Sequence, residues 1–199
     1  MSAERIDEYS FEVGAIRPPS EGGSHSLLLR PTRNCSWGRC KFCYGLVYDR
    51  QKFELRSVED IKKDIDAAKA IAEEIRAVSW QMGRAGAINH DVASVMVRAN
   101  PRLNTNHCFA LVFNWLAVGA KTVFLQDADS LVLKPDLLLG LLRSLKERVP
   151  GIDALLGTLR WAEIGPLIEE LLDERGGRRE RGRAPRPRPR RPGRASRAR

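Results

Sequence analysis

The clearest pattern in the chain is a stripe of apolar residues at helical spacing. Steps of four and three residues separate its members, which places them on one face of an α-helix of about 15 residues. A polar cap precedes the stripe, because Ser57 is followed three residues later by Asp60, a carboxylate near the positive helix end. The pattern predicts a long amphipathic helix. Its stripe consists of Ile61, Ile65, Ala68, Ala72 and Ile75.

Two short apolar runs predict strands. Residues 26–30 and 121–125 each contain three consecutive apolar residues, as in strands that are buried on both faces of a parallel sheet. Pro31 ends the first run, because proline cannot donate to a strand ladder. Residues 152–156 form a weaker third candidate. Strands that alternate with helices predict an α/β fold with parallel strands and right-handed crossovers.

Further helices are predicted on either side of the second strand. They span residues 91–98, 108–118, 135–149 and 161–172. Gly119 ends the second of these as a left-handed cap, and Pro135 begins the third in its first turn. The expected buried positions are Val92, Val95 and Met96 in the first helix and Leu137, Leu138, Leu141, Leu142 and Leu145 in the third.

Composition divides the chain into four segments. Residues 1–25 are a polar, irregular lead-in, 26–150 hold the core, 151–174 are a helical segment whose packing the pattern does not specify, and 175–199 are an Arg- and Pro-rich tail. The tail has 12 Arg and one Glu, or +11 against a net charge of +9, which leaves −2 for the rest. It lacks the apolar residues that would offset the entropy of ordering, so we expect it to be disordered. Nucleic acid is expected to bind only non-specifically, through this tail.

The sequence predicts no membrane segment. No apolar run is long enough for a transmembrane helix, and the N-terminus has no apolar signal-peptide core. We therefore expect a cytoplasmic protein. Cysteines stay reduced in that compartment, so a cluster of them indicates a metal site or a catalytic site rather than a disulfide framework.

Three of the four cysteines lie within nine residues, shortly after the first predicted strand. Cys35, Cys40 and Cys43 follow the spacing C-x4-C-x2-C, and three chemistries fit it. A zinc site requires a fourth ligand, which Cys108 or His107 could supply. A two-iron ferredoxin uses the same spacing with a distant fourth cysteine, but the helix-rich stretch after the loop does not fit that small β-rich carrier. A four-iron cluster held by three thiolates leaves one iron open to a cofactor.

The residues between the cysteines suit the third chemistry. Arg39 and Lys41 would offset the negative charge of a cluster, and Trp37 and Phe42 would exclude water from it. Both effects tune the reduction potential of an iron–sulfur cluster.

A strand followed by C-x4-C-x-F-C, a loop and a long helix resembles the radical S-adenosylmethionine (radical SAM) superfamily. The common motif there is C-x3-C-x2-C with an aromatic residue before the last cysteine, and this chain has one more residue in the first gap. The stretch RPTRNCSWGRCKFC at residues 30–43 is similar to a branch with that longer gap. Residues 16–21 and 123–129 also resemble the branch, and the resemblance extends over about residues 15–150.

The resemblance implies a role for each matching position in the loop. Cys35, Cys40 and Cys43 match the ligands of a 4Fe-4S cluster. Phe42 matches an aromatic residue that packs near the adenine of S-adenosylmethionine. Tyr44 is either a further cofactor contact or a packing residue.

The end of the second predicted strand departs from the family pattern. Family members often have Gly-Gly-Glu there, which contacts the amino group of the cofactor, whereas this chain has Gln126-Asp127-Ala128-Asp129. Asp127 or Asp129 could accept hydrogen bonds from the ammonium instead, since both lie on one face of an extended segment. The alternative is that one of them caps the next turn or helix.

The implied reaction is reductive cleavage of S-adenosylmethionine to a 5′-deoxyadenosyl radical, which needs an external electron donor and acts on an unknown substrate. The implied fold is a (βα) barrel, which is incomplete here because the pattern supplies too few βα units. The change of composition after Gly151 suggests a C-terminally truncated product or an out-of-frame read of a GC-rich coding region. Two other functions stay open: a catalytically silent cluster-binding fragment, and a structural zinc module that binds acidic partners through its tail.

Overall fold

A computed structural model describes residues 6–16, 26–39, 51–127 and 130–149, and the backbone of 154–157. Within these ranges the chain folds into short strands and α-helices, which confirms the mixed α/β class predicted from the sequence. In chain order, the elements are β1 (Leu27–Leu29), β2 (Thr32–Arg33), β3 (Glu54–Leu55), α1 (Val58–Gln81), α2 (His90–Ala99), α3 (His107–Ala117), β4 (Thr122–Leu125), α4 (Pro135–Arg148) and β5 (Ala154–Gly157).

Three of these strands form a parallel sheet in the order β1-β4-β5. Phe124 of β4 lies opposite Leu28 on one side and Leu156 on the other. Both clearly predicted strands are confirmed, and the weaker candidate at 152–156 is a strand as well. Helices form the crossovers between successive parallel strands, as parallel pairing requires. The strands that the structure describes make an open sheet, so the barrel stays a prediction.

The core lies between the sheet and two of the helices. The three leucines of β1 are all buried, and Trp115 of α3 is fully enclosed. Helix α3 packs against β1, and α1 packs against α3 and α4. These contacts bury β1, the strand from whose carboxyl end the cysteine-containing stretch departs.

Helix α1 begins where the sequence predicts and runs further. Ser57 is its N-cap and accepts a hydrogen bond from the Asp60 backbone at 3.1 Å. All five residues of the predicted stripe are buried. The helix has 24 residues rather than about 15, because Val78 continues the buried stripe and the first helix-breaking residue is Gly83, whose φ is +69°.

Helix α3 ends in the left-handed cap that the sequence predicts. Gly119 has a φ of +98°, and its backbone nitrogen donates to Leu116 at 3.0 Å. The next nitrogen, of Ala120, donates to Trp115 at 2.9 Å. This pair of bonds is the Schellman arrangement, which satisfies the last carbonyls of a helix and turns the chain into the following strand.

Two residues predicted as core are exposed. Val95 of α2 is 36% exposed and Leu137 of α4 is 43% exposed, so both predictions were wrong. Each lies about a quarter-turn around the helix from the centre of its buried stripe, at 100° per residue. The other predicted positions of α2 and α4 are buried.

The lead-in packs against the core although it is largely irregular. Its only regular element among residues 6–16 is a 3₁₀ turn at Ile6–Glu8. Ile6 and Phe11 are buried, and the Asp7 carboxylate accepts a hydrogen bond from the Asn100 amide at 2.7 Å. The described part of the lead-in therefore belongs to the same folded body as the sheet.

All described residues belong to one compact unit, Met1–Ala162. In that part of the chain, no helix has the length and apolarity that crossing a bilayer requires. The helix predicted at 161–172 and the tail at 175–199, for which disorder is predicted, lie outside the described residues.

Candidate metal centre

The cysteine loop, residues 34–53, is closed at its base by a two-stranded antiparallel ladder. Thr32 of β2 lies opposite Leu55 of β3, and Arg33 lies opposite Glu54. The ladder continues into a further hydrogen bond, because the Arg56 backbone nitrogen donates to the Pro31 carbonyl at 3.2 Å. The loop thus leaves and re-enters the fold at one point, beside the carboxyl end of β1.

Asn34 ties the two ends of the loop together. Its side-chain Nδ2 donates to the Lys52 carbonyl at 2.7 Å. Its backbone nitrogen donates to Asp127 Oδ2 at 2.9 Å, which anchors the loop to the end of β4. Asn34 has a φ of +65°, in the left-handed region that asparagine tolerates better than most residues. Cys35 directly follows Asn34, so the anchored asparagine constrains the position of the Cys35 backbone.

The Cys35 sulfur accepts a backbone hydrogen bond. The Gly38 nitrogen lies 3.4 Å from Cys35 Sγ, and Gly38 has a φ of +59° that suits glycine. The thiol is half-buried. Trp37 is 64% exposed. The guanidinium carbon of Arg39 lies over the Trp37 ring, 5.5 Å from the ring centre. The water-excluding role that the sequence predicts for Trp37 beside a cluster stays a prediction.

Several predicted site residues lie outside the part of the chain that the structure describes. They are Cys40, Phe42, Cys43, Tyr44 and Asp129. Among the residues that are described, no three metal-ligating side chains come together. The roles predicted for these five residues therefore stay predictions.

Asp127 lies at the carboxyl end of β4, as the sequence predicts, and is fully buried. The preceding Gln126 nitrogen donates to the Leu29 carbonyl at 2.7 Å, which extends the β1–β4 ladder by one residue. Asp127 Oδ2 lies 2.8 Å from Arg30 Nε and 2.7 Å from Arg30 Nη2, and it also accepts the bond from Asn34. Its carboxylate thus joins both strand ends to the cysteine loop. A contact with a cofactor ammonium stays a prediction.

Glu12, in the lead-in, lies among three arginines. Its Oε1 accepts from Arg30 Nη1 at 2.8 Å and from Arg33 Nε at 2.7 Å. Its Oε2 accepts from Arg33 Nη2 at 2.6 Å and lies 3.3 Å from Arg56 Nε. The hydrogen bond from Arg33 holds the pKa of Glu12 below its usual range, and the bond to Glu12 raises the pKa of Arg33. Glu12 and Arg33 are therefore both charged near neutral pH.

Each of the three arginines also has a carboxylate of its own. Arg30 has Asp127, as described above. Arg33 Nη1 lies 2.8 Å from Glu54 Oε1, and Arg56 Nη1 lies 2.5 Å from Asp64 Oδ2. Arg56 Nη1 also donates to the Arg30 carbonyl at 2.8 Å. The charge cluster, defined as Glu12, Arg30, Arg33, Glu54, Arg56, Asp64 and Asp127, therefore joins the lead-in, all three strand ends at the loop and helix α1.

The charge cluster was not predicted from the sequence, although one feature of the sequence indicates it. Arg30 directly follows an apolar run predicted to be a buried strand, and buried guanidiniums require carboxylate partners. This feature does not say which carboxylates these are, because Glu12 is remote in the chain and lies in a segment without periodicity.

Gln126 holds the lead-in over the end of the sheet. Its Oε1 accepts from the Gly14 nitrogen at 2.8 Å, and its Nε2 donates to the carbonyls of Gly14, at 3.1 Å, and of Ile16. A Cβ at Gly14 would overlap the carboxylate of Asp127. Only glycine fits there without displacing Asp127, so the lead-in packs directly against the ion pair that anchors the loop.

Cys108 is a buried thiol in the first turn of α3. Its Sγ donates to the Phe11 carbonyl at 3.3 Å and accepts from the Phe11 nitrogen at 3.4 Å. Burial raises the pKa of the Cys108 thiol, which favours the protonated form over the thiolate that metals bind. The geometry fits a small core residue on a helix better than the fourth zinc ligand that the sequence left open.

Comparison with known proteins adds no relative. No protein family matches this chain, and neither a curated protein nor a solved structure matches it.

Proposed function

We propose that the cysteine loop binds a 4Fe-4S cluster through Cys35, Cys40 and Cys43, in a protein of the radical SAM type. The fourth iron is then open to S-adenosylmethionine. The observation that carries the proposal is the place of Cys35. Its half-buried thiol, already bonded to the Gly38 backbone, follows an anchored residue at the carboxyl edge of two parallel strands. Binding sites of parallel α/β folds are built at this edge.

The donor set fits an iron–sulfur cluster. Thiolates are the usual protein ligands of such clusters, and backbone N–H groups directed at their sulfurs help to set the reduction potential. Gly38 supplies one such N–H to Cys35. A tetrahedral zinc site would need a fourth protein ligand, and the remaining cysteine, Cys108, is bonded to the Phe11 backbone on both its donor and its acceptor side.

The residues of this chain position and neutralise the bound group. In this proposal the guanidinium of Arg39, which lies over the Trp37 ring, offsets part of the negative charge of three thiolates. In this proposal Phe42 and Tyr44 pack against the cofactor, and Asp127 or Asp129 accepts bonds from its ammonium. When bound, the cluster supplies the electron that cleaves the sulfonium of S-adenosylmethionine reductively. In this proposal the parallel strands belong to a partial (βα) barrel beside the site. An external electron donor reduces the cluster.

The metal is tested by anaerobic reconstitution with iron and sulfide, followed by metal analysis. We expect about four irons per chain and a brown protein. Cys35→Ala should lose most of the iron, because two thiolates hold a cluster poorly. Cys108→Ala is the matched control, since it removes a cysteine outside the loop, and it should load normally. One zinc per chain, or equal loss of iron in both variants, would overturn the proposal.

Turnover is tested separately, by following cleavage of S-adenosylmethionine under a strong reductant. Release of methionine and 5′-deoxyadenosine by the loaded wild type, but not by Cys35→Ala, supports an enzyme. A loaded chain that releases neither product is a cluster-binding protein without turnover, the alternative that the sequence left open.

A further inference from the structure

Glu12 connects the three places where the base of the cysteine loop is built. Arg30 directly follows β1, Arg33 lies in β2, and Arg56 directly follows β3. The Glu12 carboxylate contacts all three guanidiniums at 2.6 to 3.3 Å. The ladders between these strand ends are short, because β2 and β3 are two residues long. Three further contacts support them: the Arg33–Glu54 pair, the bond from Arg56 to the Arg30 carbonyl and the bond from Asn34 to the Lys52 carbonyl. One side chain from the lead-in therefore cross-links the loop's entry and exit.

The contact with Arg33 is the most directional of the three. Arg33 Nε donates to Oε1 at 2.7 Å and Nη2 donates to Oε2 at 2.6 Å, which is the parallel, bidentate geometry of an arginine–carboxylate pair. Such pairs fix orientation as well as distance. Arg33 is two residues before Cys35, with only the anchored Asn34 between them. The direction in which the chain enters the loop is therefore set in part by Glu12.

Neutralising charge does not by itself account for this arrangement. Arg30, Arg33 and Arg56 already have Asp127, Glu54 and Asp64 as individual partners. Among the residues described by the structure, Glu12 is the carboxylate that all three arginines share. With Glu12 included, three guanidiniums face four carboxylates, so its addition leaves a formal charge of −1. Its distinctive contribution is to connect the arginines with one another.

We infer that Glu12 is a positioning residue of the cysteine loop. By holding Arg30, Arg33 and Arg56 around one carboxylate, it fixes where the Cys35 thiol lies. The inference rests on the proposed function for its relevance to metal binding, since a correctly placed first thiol would prearrange the site. The position of Cys35 itself can be measured without any metal.

The test is the alkylation rate of Cys35 in the reduced, metal-free full chain, read peptide by peptide with mass spectrometry. The variant is Glu12→Asp, which keeps the charge but withdraws the carboxylate by one methylene, so that it can no longer reach all three arginines. We expect Cys35 to react several-fold faster than in the wild type when both are compared at a temperature well below their thermal unfolding midpoints. The matched control is Glu73→Asp, which makes the same change in the exposed pair with Lys69, 3.7 Å apart, and should leave the rate unchanged.

Glu12→Gln keeps the size of the side chain and serves as the second variant if the aspartate variant does not fold. Its rates are measured across pH, which separates the ionisation of the thiol from its accessibility. If the Cys35 alkylation rate in the Glu12 variants equals that in Glu73→Asp within experimental error, the inference is overturned. An equal acceleration at Cys108 also overturns it, because that result means release of the whole lead-in, including Phe11, rather than an effect through the arginines.

The outcome is independent of the proposed function. If the wild type takes up no iron, the proposed cluster is ruled out, but the alkylation result still tests the positioning role of Glu12. If the wild type takes up iron but the Glu12 variants leave the Cys35 alkylation rate unchanged, the positioning role is ruled out and the cluster proposal stands.

Discussion

Buried charge is the dominant feature at the scale of single residues. The Arg56 side chain is only 4% exposed, and its partner Asp64 is 10% exposed. A guanidinium at that depth is tolerated because carboxylates surround it, and removing one partner leaves a charge that water no longer reaches. The sequence indicates that Arg56 needs a partner if it is buried. It could not name Asp64 or Glu12, because that choice depends on how the lead-in and α1 come together.

Asp64→Asn removes one of the two carboxylates beside Arg56 at almost constant volume. We expect it to lower the free energy of unfolding by about 3 kcal/mol, the lower end for breaking a buried pair, because Glu12 remains. Urea unfolding measures the loss. The control is Asp91→Asn, whose partner Arg84 lies 2.6 Å away in an exposed pair and which should cost no more than about 1 kcal/mol. Equal losses in the two variants would contradict the account.

Glu12 makes the charge cluster sensitive to acid. The pKa of Glu12 is lowered, chiefly by the Arg33 hydrogen bond and further by the charges of Arg56, Arg33 and Arg30. A carboxyl whose pKa is lower in the folded state stabilises the fold above its unfolded pKa and loses that effect as the pH falls through its folded pKa. Glu54, Asp64 and Asp127 face the same arginines from β3, α1 and the end of β4.

The stability difference between wild type and Glu12→Gln should therefore depend on pH. We expect it to be constant at neutral pH and to shrink below the usual glutamate pKa of 4.5. Urea unfolding at a series of pH values from about 7 to 3 measures it. A difference that persists unchanged through the acid range would show that the Glu12 carboxylate does not act through its charge.

At the scale of elements, periodicity decided what the sequence could predict. Helix α1 carries a complete apolar stripe with a serine cap, and α3 ends at a glycine, so both were predictable. Strands β2 and β3 were missed, because two residues show no periodicity and their pairing depends on Arg33 and Glu54 meeting across a long loop. Side chains at the edge of a stripe, such as Val95, were assigned to the wrong side.

Two glycines, one just after helix α3 and one inside helix α4, should respond to alanine in opposite directions. Gly119 at the end of α3 has a φ of +98°, so Gly119→Ala should destabilise the protein by about 1 kcal/mol. Gly140, inside α4, has open space around its Cβ position and no positive φ. Gly140→Ala should stabilise by about 0.5–1 kcal/mol, because alanine favours the helix. Thermal unfolding measures both, and shifts of the same sign would contradict the assigned backbone roles.

At the scale of the whole molecule, the unpredicted feature is the docking of the lead-in. Residues 6–16 reach the core through long-range polar contacts, such as Gln126 with Gly14 and Cys108 with Phe11. No local pattern predicts such contacts, because they form only after the sheet and α3 have placed the partners. The parallel sheet was predictable from its apolar strands, whereas its connection to the cysteine loop through the lead-in was not.

Gln126→Ala should release the part of the lead-in that covers the sheet edge. We expect faster hydrogen exchange at the Gly14 amide, which donates to Gln126 at 2.8 Å, with little change inside α1. Hydrogen exchange followed by mass spectrometry measures both regions. Gln81→Ala, at an exposed glutamine ending α1, should change neither. Unchanged exchange at Gly14 in Gln126→Ala would show that other contacts hold the lead-in in place.

We propose that the cysteine loop binds a cluster with one iron open to S-adenosylmethionine. The most direct measurement is the electron paramagnetic resonance spectrum of the reconstituted, reduced chain, recorded with and without S-adenosylmethionine. We expect the signal of a reduced 4Fe-4S cluster whose g values change when the cofactor is added, and no such signal in Cys35→Ala. A silent spectrum from a chain that contains one zinc would contradict the account.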